Sequence, residues 1–267
     1  MDLLKGQIVA VTGASSGIGA ACCTLLKKRG ATVIGLDINQ PTKNDVDHFI
    51  SYDQGDPDNI DLAVQQLPGG LTALVNVAGV APSNRFGPAD VLRINFSGVR
   101  YLTELVVPKL ASGSTIVNMS SGTGAGWPTN ISNIKAFLDI REVDEIQKFV
   151  DDHGIVNDGL GNDSAYPFSK QLLSVWTMKA SGQWRSRGIR VNAVAPAAVD
   201  TPIVGDFLSS FGDEAAERMA NFGTATPENV AMASVFLLTT DAAWINGAIL
   251  PVDGGAIAAG TVAKLGI

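Results

Sequence analysis

The feature that most constrains this chain is an alternation of short apolar segments with helix-period segments along almost its whole length. Gln7–Thr12, Ala31–Leu36, Phe49–Tyr52, Leu71–Val77, Ser114–Met119, Ile189–Ala195 and Ala248–Val252 are mostly β-branched or leucine-rich. Most are apolar on both faces, as strands of a helix-covered parallel sheet must be. Between the first two, Ile18, Cys22, Leu25 and Leu26 mark one helix face, and Gly30 ends that helix after Lys27-Lys28-Arg29. Asp56-Pro57 opens a second helix whose inner face is Ile60, Val64 and Leu67, and Pro227–Leu238 is a third. The pattern predicts an α/β fold: one doubly wound parallel sheet, Rossmann-like, with residues 1–267 forming a single domain.

Residues 127–165 break the rhythm. Ile134, Phe137 and Leu138, then Val143, Ile146, Phe149 and Val150, recur at helical spacing and predict two short amphipathic helices. The Gly- and Asp-rich stretch Asn157–Asp163 reads as a loop. About forty residues rarely build a core of their own, so this is expected to be an insertion carried by the domain.

Composition narrows the function. Hydrophobic residues make up 46% and charged residues 17%, which excludes a disordered chain and implies a large core. A net charge of −7 with no basic block argues against a nucleic-acid partner, because cations are needed to displace phosphate counterions. Cys22 and Cys23 are adjacent, a poor arrangement for a disulfide, and His48 and His153 have no ligand spacing, so no metal is expected. No run reaches the apolar length of a membrane span, and Met1-Asp2-Leu3-Leu4-Lys5 lacks a signal-peptide layout. A cytoplasmic location is expected.

Thr12-Gly13-Ala14-Ser15-Ser16-Gly17-Ile18-Gly19 follows a predicted strand and opens a predicted helix. That context turns a weak glycine pattern into a dinucleotide cradle. Gly13 lets the chain turn, Gly17 lets the backbone approach a pyrophosphate, and Gly19 lets helix and strand pack closely. Asp37, 18 positions after Gly19, ends the second strand where a carboxylate bonds ribose hydroxyls and repels a 2′-phosphate. NAD is therefore expected over NADP.

The glycine spacing resembles the short-chain dehydrogenase/reductase family, and further motifs over residues 5–256 agree. Asn76-Val77-Ala78-Gly79 is similar to that family's Asn-Asn-Ala-Gly strand end, with Val77 in place of the second Asn. Tyr166-Pro167-Phe168-Ser169-Lys170 matches Tyr-x-x-x-Lys, and the ending Val252-Asp253-Gly254-Gly255 also fits. The resemblance implies cofactor contacts from Asp53 with Gln54 at the adenine, and from Asn76, Ala78 and Gly79. It also implies them from Pro196, Val199 and Thr201 at the nicotinamide, although Ala197 stands where glycine is usual. It implies catalysis by Ser121, Tyr166 and Lys170, with Tyr166 and Lys170 also contacting the cofactor, Lys170 at the nicotinamide ribose, and with Asn95 supporting a water relay to the lysine. The separation of 45 positions from Ser121 to Tyr166 resembles an insertion-bearing subset, the bacterial 3α-hydroxysteroid dehydrogenase/carbonyl reductases and coniferyl-alcohol dehydrogenases. Gly126-Trp127-Pro128 and Val175-Trp176-Thr177 point to the latter.

Tyr166 and Lys170 are four apart, hence on one helix face. A phenol with a pKa near 10 is a poor catalyst at neutral pH, and a neighbouring cation is expected to pull it down. The expected reaction is NAD(H)-linked hydride transfer to or from a lipophilic, ring-containing alcohol or ketone. Rival readings are an acyl-thioester ketoreductase, opposed by Asp37 and the acidic balance, and a silent NAD sensor, opposed by the intact Tyr166 and Lys170. Trp176 and Trp184 read as packing residues, and Phe207, Leu208 and Phe211 as a substrate cover. A homodimer or homotetramer is expected, with the insertion's apolar face in the contact or walling the pocket.

Overall fold

Each of the seven predicted segments is a strand, and all seven lie in one parallel sheet. The computed structural model describes residues 3–267 apart from 84, 204, 207, 208, 210, 211, 213–216 and 218. The strands are β1 (Ile8–Thr12), β2 (Thr32–Asp37), β3 (His48–Ser51), β4 (Leu71–Asn76), β5 (Leu110–Met119), β6 (Arg190–Pro196) and β7 (Ile249–Val252). Their order is β3-β2-β1-β4-β5-β6-β7, so the winding reverses between β1 and β4 and leaves a crevice at the carboxyl ends there.

Two apolar layers sandwich the sheet. On one face α1 (Gly17–Lys28) packs beside α8 (Pro227–Leu238), with Cys22, Cys23, Leu26, Val230 and Val235 buried against Val11, Val33 and Val194. On the other lie α2 (Pro57–Gln66), α3 (Pro88–Leu92), α4 (Val99–Val106) and α7 (Ala165–Gln183). Local chemistry sets several boundaries. Asp56 caps α2 by accepting from the Asp58 N–H at 3.0 Å, and Thr226 caps α8 ahead of Pro227. Between α3 and α4 the chain makes a wide π turn, Arg93–Gly98, which the sequence does not announce.

The insertion forms α5 (Ile131–Leu138) and α6 (Val143–His153), preceded by a tight 3₁₀ segment, Gly122–Thr129. Its apolar face turns inward. Ile134, Phe137, Ile146, Phe149 and Val150 are buried with Phe96, Phe168, Leu172 and Trp176 in the layer that holds α7. These five side chains are covered within the subunit, whereas Val143 of the same predicted face is 41% exposed; helical periodicity shows that a face is covered, not what covers it. Arg100, itself buried, donates to the carbonyls of Leu138 and Ile140 and so caps the end of α5. A final helix, α9 (Ala256–Leu265), follows β7 and has no buried residue. No helix among the described residues is long and apolar enough to cross a membrane.

Candidate active site

In the turn after β1, Gly13 donates its N–H to the Leu36 carbonyl at 2.9 Å and takes a positive φ of 69°, a conformation that favours glycine. A Cβ on Gly13 would sit 2.9 Å from the Ala78 nitrogen. A Cβ on Gly19 would penetrate the Gly13 carbonyl oxygen. The Thr12 hydroxyl accepts from the Val77 and Ala78 N–H groups at 3.0 and 3.1 Å, which locks the ends of β1 and β4 together. No side chain caps the start of α1 at Ser16, and its first turn carries no acidic residue. Its N–H dipole end is therefore available to an anion.

Asp37 stands beside that turn. One carboxylate oxygen accepts from the Ser15 N–H at 3.0 Å and the other from the Asn39 N–H at 2.9 Å. Thr201, after β6, lies over the same turn, its methyl 3.1 Å from where a Gly17 Cβ would be. Val199 pairs with Ala225 and is buried beneath it. Asp53 is exposed and accepts from the Gly55 N–H at 2.8 Å.

Two residues expected at the cofactor use their side chains elsewhere. Asn76 is 2% exposed and donates to Thr103 and Asn118 at 3.0 and 2.8 Å, tying β4 to α4 and β5. Gln54 is buried and donates to the Ala78 and Ile94 carbonyls at 2.9 and 2.8 Å. Both amide N–H groups are thus held by internal acceptors, while the Asn76 Oδ1 is buried without a hydrogen-bond partner among the described residues. Asn95 sits in the π turn, buried, and clamps Val80 by accepting from its N–H at 2.8 Å and donating to its carbonyl at 2.9 Å.

Ser121, at the end of β5, hydrogen-bonds the Tyr166 phenol. Lys170, one turn along α7, is 5% exposed, with Nζ 5.5 Å from the Tyr166 ring centre. That Nζ donates to the Met119 carbonyl at 2.9 Å. Tyr166 is half-buried. Burial pushes the phenol up to about 12, partly offset by the Ser121 hydrogen bond. The depression expected from Lys170 does not appear, because the ammonium points to Met119 and burial outweighs it. Burial likewise pushes Lys170 down to about 8. Among the described residues no cluster of His, Cys, Asp or Glu could hold a metal. Phe207, Leu208 and Phe211 lie outside the described residues.

A Ser, Tyr and Lys gathered at the carboxyl edge of a doubly wound sheet, beside an open helix N-terminus, define an oxidoreductase of the dinucleotide-binding α/β class. Residues 7–132 match the short chain dehydrogenase family model, and residues 155–256 match the model described as enoyl-(acyl carrier protein) reductase. The chain belongs to the short-chain dehydrogenase/reductase family. The unmatched stretch between the two, 133–154, holds most of α5 and all of α6. A coniferyl-alcohol dehydrogenase from a Pseudomonas species is 36% identical, the match covering 96% of this chain and 98% of the relative. A cis-4-hydroxycyclohexanecarboxylate dehydrogenase from Sinomonas cyclohexanicum is 31% identical over 93% of this chain and 96% of its own. Among solved structures, a 3-alpha-hydroxysteroid dehydrogenase from a Pseudomonas species, complexed with NADH, superimposes with a TM-score of 0.80 at 28% identity. That match covers 97% of this chain and 98% of the other.

Proposed function

We propose that this chain is an NAD(H)-dependent alcohol dehydrogenase/carbonyl reductase acting on a lipophilic alcohol or ketone that carries an aromatic or alicyclic ring. The observation that carries the reading is the Ser121–Tyr166–Lys170 cluster beside the Gly13–Gly19 turn. Three relatives are named for ring-bearing alcohols: coniferyl alcohol, a hydroxycyclohexanecarboxylate and a 3-alpha-hydroxysteroid. They support the substrate class.

The residues present fit a dinucleotide. Gly13, Ser15, Ser16, Gly17, Ile18 and Gly19 would hold the pyrophosphate at the start of α1, with Asp37 at the adenosine ribose. A carboxylate there disfavours a 2′-phosphate, so NAD is assigned over NADP. The backbone of Asp53, Ala78 and Gly79 would face the adenosine half, and Pro196, Val199 and Thr201 the nicotinamide half. When bound, the nicotinamide supplies the hydride donor or acceptor.

The chain's own residues do the rest. Ser121 and Tyr166, already hydrogen-bonded, present two hydroxyls to one substrate oxygen, where negative charge develops. A phenol held up at about 12 is protonated at neutral pH and donates that proton at Oη during ketone reduction. Alcohol oxidation returns it. Lys170, charged below pH about 8, would hydrogen-bond the nicotinamide ribose and so align the cofactor with Tyr166. Asn95 acts through Val80 and the π turn, which set the backbone beside Gly79 and Lys170. A cytoplasmic homo-oligomer belongs to the same proposal, with its contact elsewhere than on the buried insertion face.

The test is a panel of aryl, alicyclic and aliphatic alcohols and ketones assayed with NAD(H) and NADP(H), read by nicotinamide absorbance. Turnover highest for a ring-bearing member with NAD is expected. No turnover with any member, or an outright preference for NADP, sinks the reading.

A further inference from the structure

The insertion reaches the catalytic helix through one buried amide. Gln171 follows Lys170 on α7 and is 2% exposed. Its Oε1 accepts from Asn130 Nδ2 at 2.8 Å, and its Nε2 donates to Asn162 Oδ1 at 3.0 Å. Asn130 precedes α5, and Asn162 lies in the loop before α7, so Gln171 joins both ends of the insertion. The two ends are also joined to each other. Asn130 donates to the Asn162 carbonyl at 3.0 Å, and Asn162 donates to the Thr129 hydroxyl at 2.9 Å.

The same turn of α7 is gripped from the sheet side. The Lys170 carbonyl accepts from the Ser120 hydroxyl at 3.2 Å, and Lys170 Nζ donates to Met119. The 3₁₀ segment lies flush against it. A Cβ on Gly124 would stand 2.8 Å from the Lys170 carbonyl, and one on Gly126 2.9 Å from Gln171 Nε2. Successive helix residues point about 100° apart. The lysine is therefore held toward β5 while its neighbour is held toward the insertion, and the two anchors together fix the rotation of the helix. Buried amides left unpaired are costly, so the network keeps this geometry rather than drifting.

We propose that Gln171 is a positioning residue, through which the insertion fixes the turn of α7 that presents Tyr166 and Lys170. The insertion thus acts on the chemistry from behind the catalytic helix. The proposal rests on the catalytic reading of Tyr166 and Lys170 given above. Small displacements of a reacting group lower turnover more than they lower binding, because near-attack geometry is the sensitive quantity.

Two variants of the full chain test it. Gln171→Met keeps length and shape while removing both hydrogen bonds, and Asn162→Ala breaks the network from an exposed loop. Both are compared with wild type and Tyr166→Phe for kcat, alcohol KM, NADH binding and melting temperature. Expected is a kcat roughly fivefold or more lower in Gln171→Met and about twofold or more lower in Asn162→Ala. Alcohol KM and NADH affinity should stay within about twofold of wild type, and the double variant should be no worse than Gln171→Met, since the two act through one network. A Gln171→Met enzyme that melts lower at unchanged kcat overturns the proposal. If Gln171→Met does not fold, Asn162→Ala decides: an unchanged kcat there overturns it. Full turnover in Tyr166→Phe removes the catalytic reading itself. Loss in Tyr166→Phe beside wild-type kcat in Gln171→Met removes this proposal alone.

Discussion

Replacing Phe149 by alanine removes a ring that the structure places inside the subunit. Phe149 is 5% exposed. Its ring meets Phe137 edge-on at 5.0 Å, stacks on Phe168 at 5.8 Å and is covered by His153 at 3.8 Å. Phe168 belongs to α7, so the ring couples α6 to the helix that carries Tyr166 and Lys170. Core Phe→Ala changes lower stability by about 3–5 kcal/mol. The two phenylalanine pairs account for roughly 0.5–1.5 kcal/mol each of that loss. For a chain of this size each kcal/mol moves the melting temperature by about 2–4 °C, so a fall of roughly 6–20 °C is expected. Thermal unfolding followed by circular dichroism, beside size-exclusion chromatography, makes the measurement. The oligomeric state should be unchanged. A variant that melts within about 2 °C of wild type but dissociates would place the ring at a subunit contact and refute this packing.

Asp37→Ala removes the acceptor assigned to the ribose hydroxyls and the charge that repels a 2′-phosphate. The wild-type ratio of kcat/KM for NAD over NADP should be at least about tenfold, or ~1.4 kcal/mol, and should narrow in the variant; an unchanged ratio would remove Asp37 from cofactor choice. Burial holds Lys170 down at about 8 against an ordinary 10.5, so between those values the unfolded chain binds the extra proton and stability rises with pH. Relative to Lys170→Met, wild type should gain up to about 1.4 kcal/mol per pH unit from about pH 8 to about pH 10. Paired melts read this, and a flat difference would contradict a buried ammonium.

The parallel sheet was legible because strands buried on both faces leave unbroken apolar runs, as Val9-Ala10-Val11 and Leu74-Val75 do. The start of β5 was not, because Leu110-Ala-Ser-Gly carries no strand pattern and joins the sheet only through its pairing with Leu71. The Tyr166–Lys170 spacing placed both residues on one helix face. It could not show that burial drives the phenol up and the ammonium down. Asn76 and Gln54 illustrate a second limit. A motif locates a residue at a strand end, but whether its amide faces the crevice or the interior depends on partners such as Thr103 and Ile94, which are distant in sequence. Gln171 gave no signal at all, since its partners Asn130 and Asn162 lie 41 and 9 positions away.

Tyr166 is the residue on which the proposed chemistry turns, and Tyr166→Phe tests it with the smallest change in shape. Turnover of the best ring-bearing alcohol with NAD should fall by roughly 10² to 10⁴, the usual worth of general acid–base catalysis. NADH binding, followed by fluorescence in the same preparation, should stay within about twofold of wild type, because the substitution removes one oxygen and leaves the ring in place. A Tyr166→Phe enzyme that binds NADH normally and turns over at close to the wild-type rate would contradict the assignment.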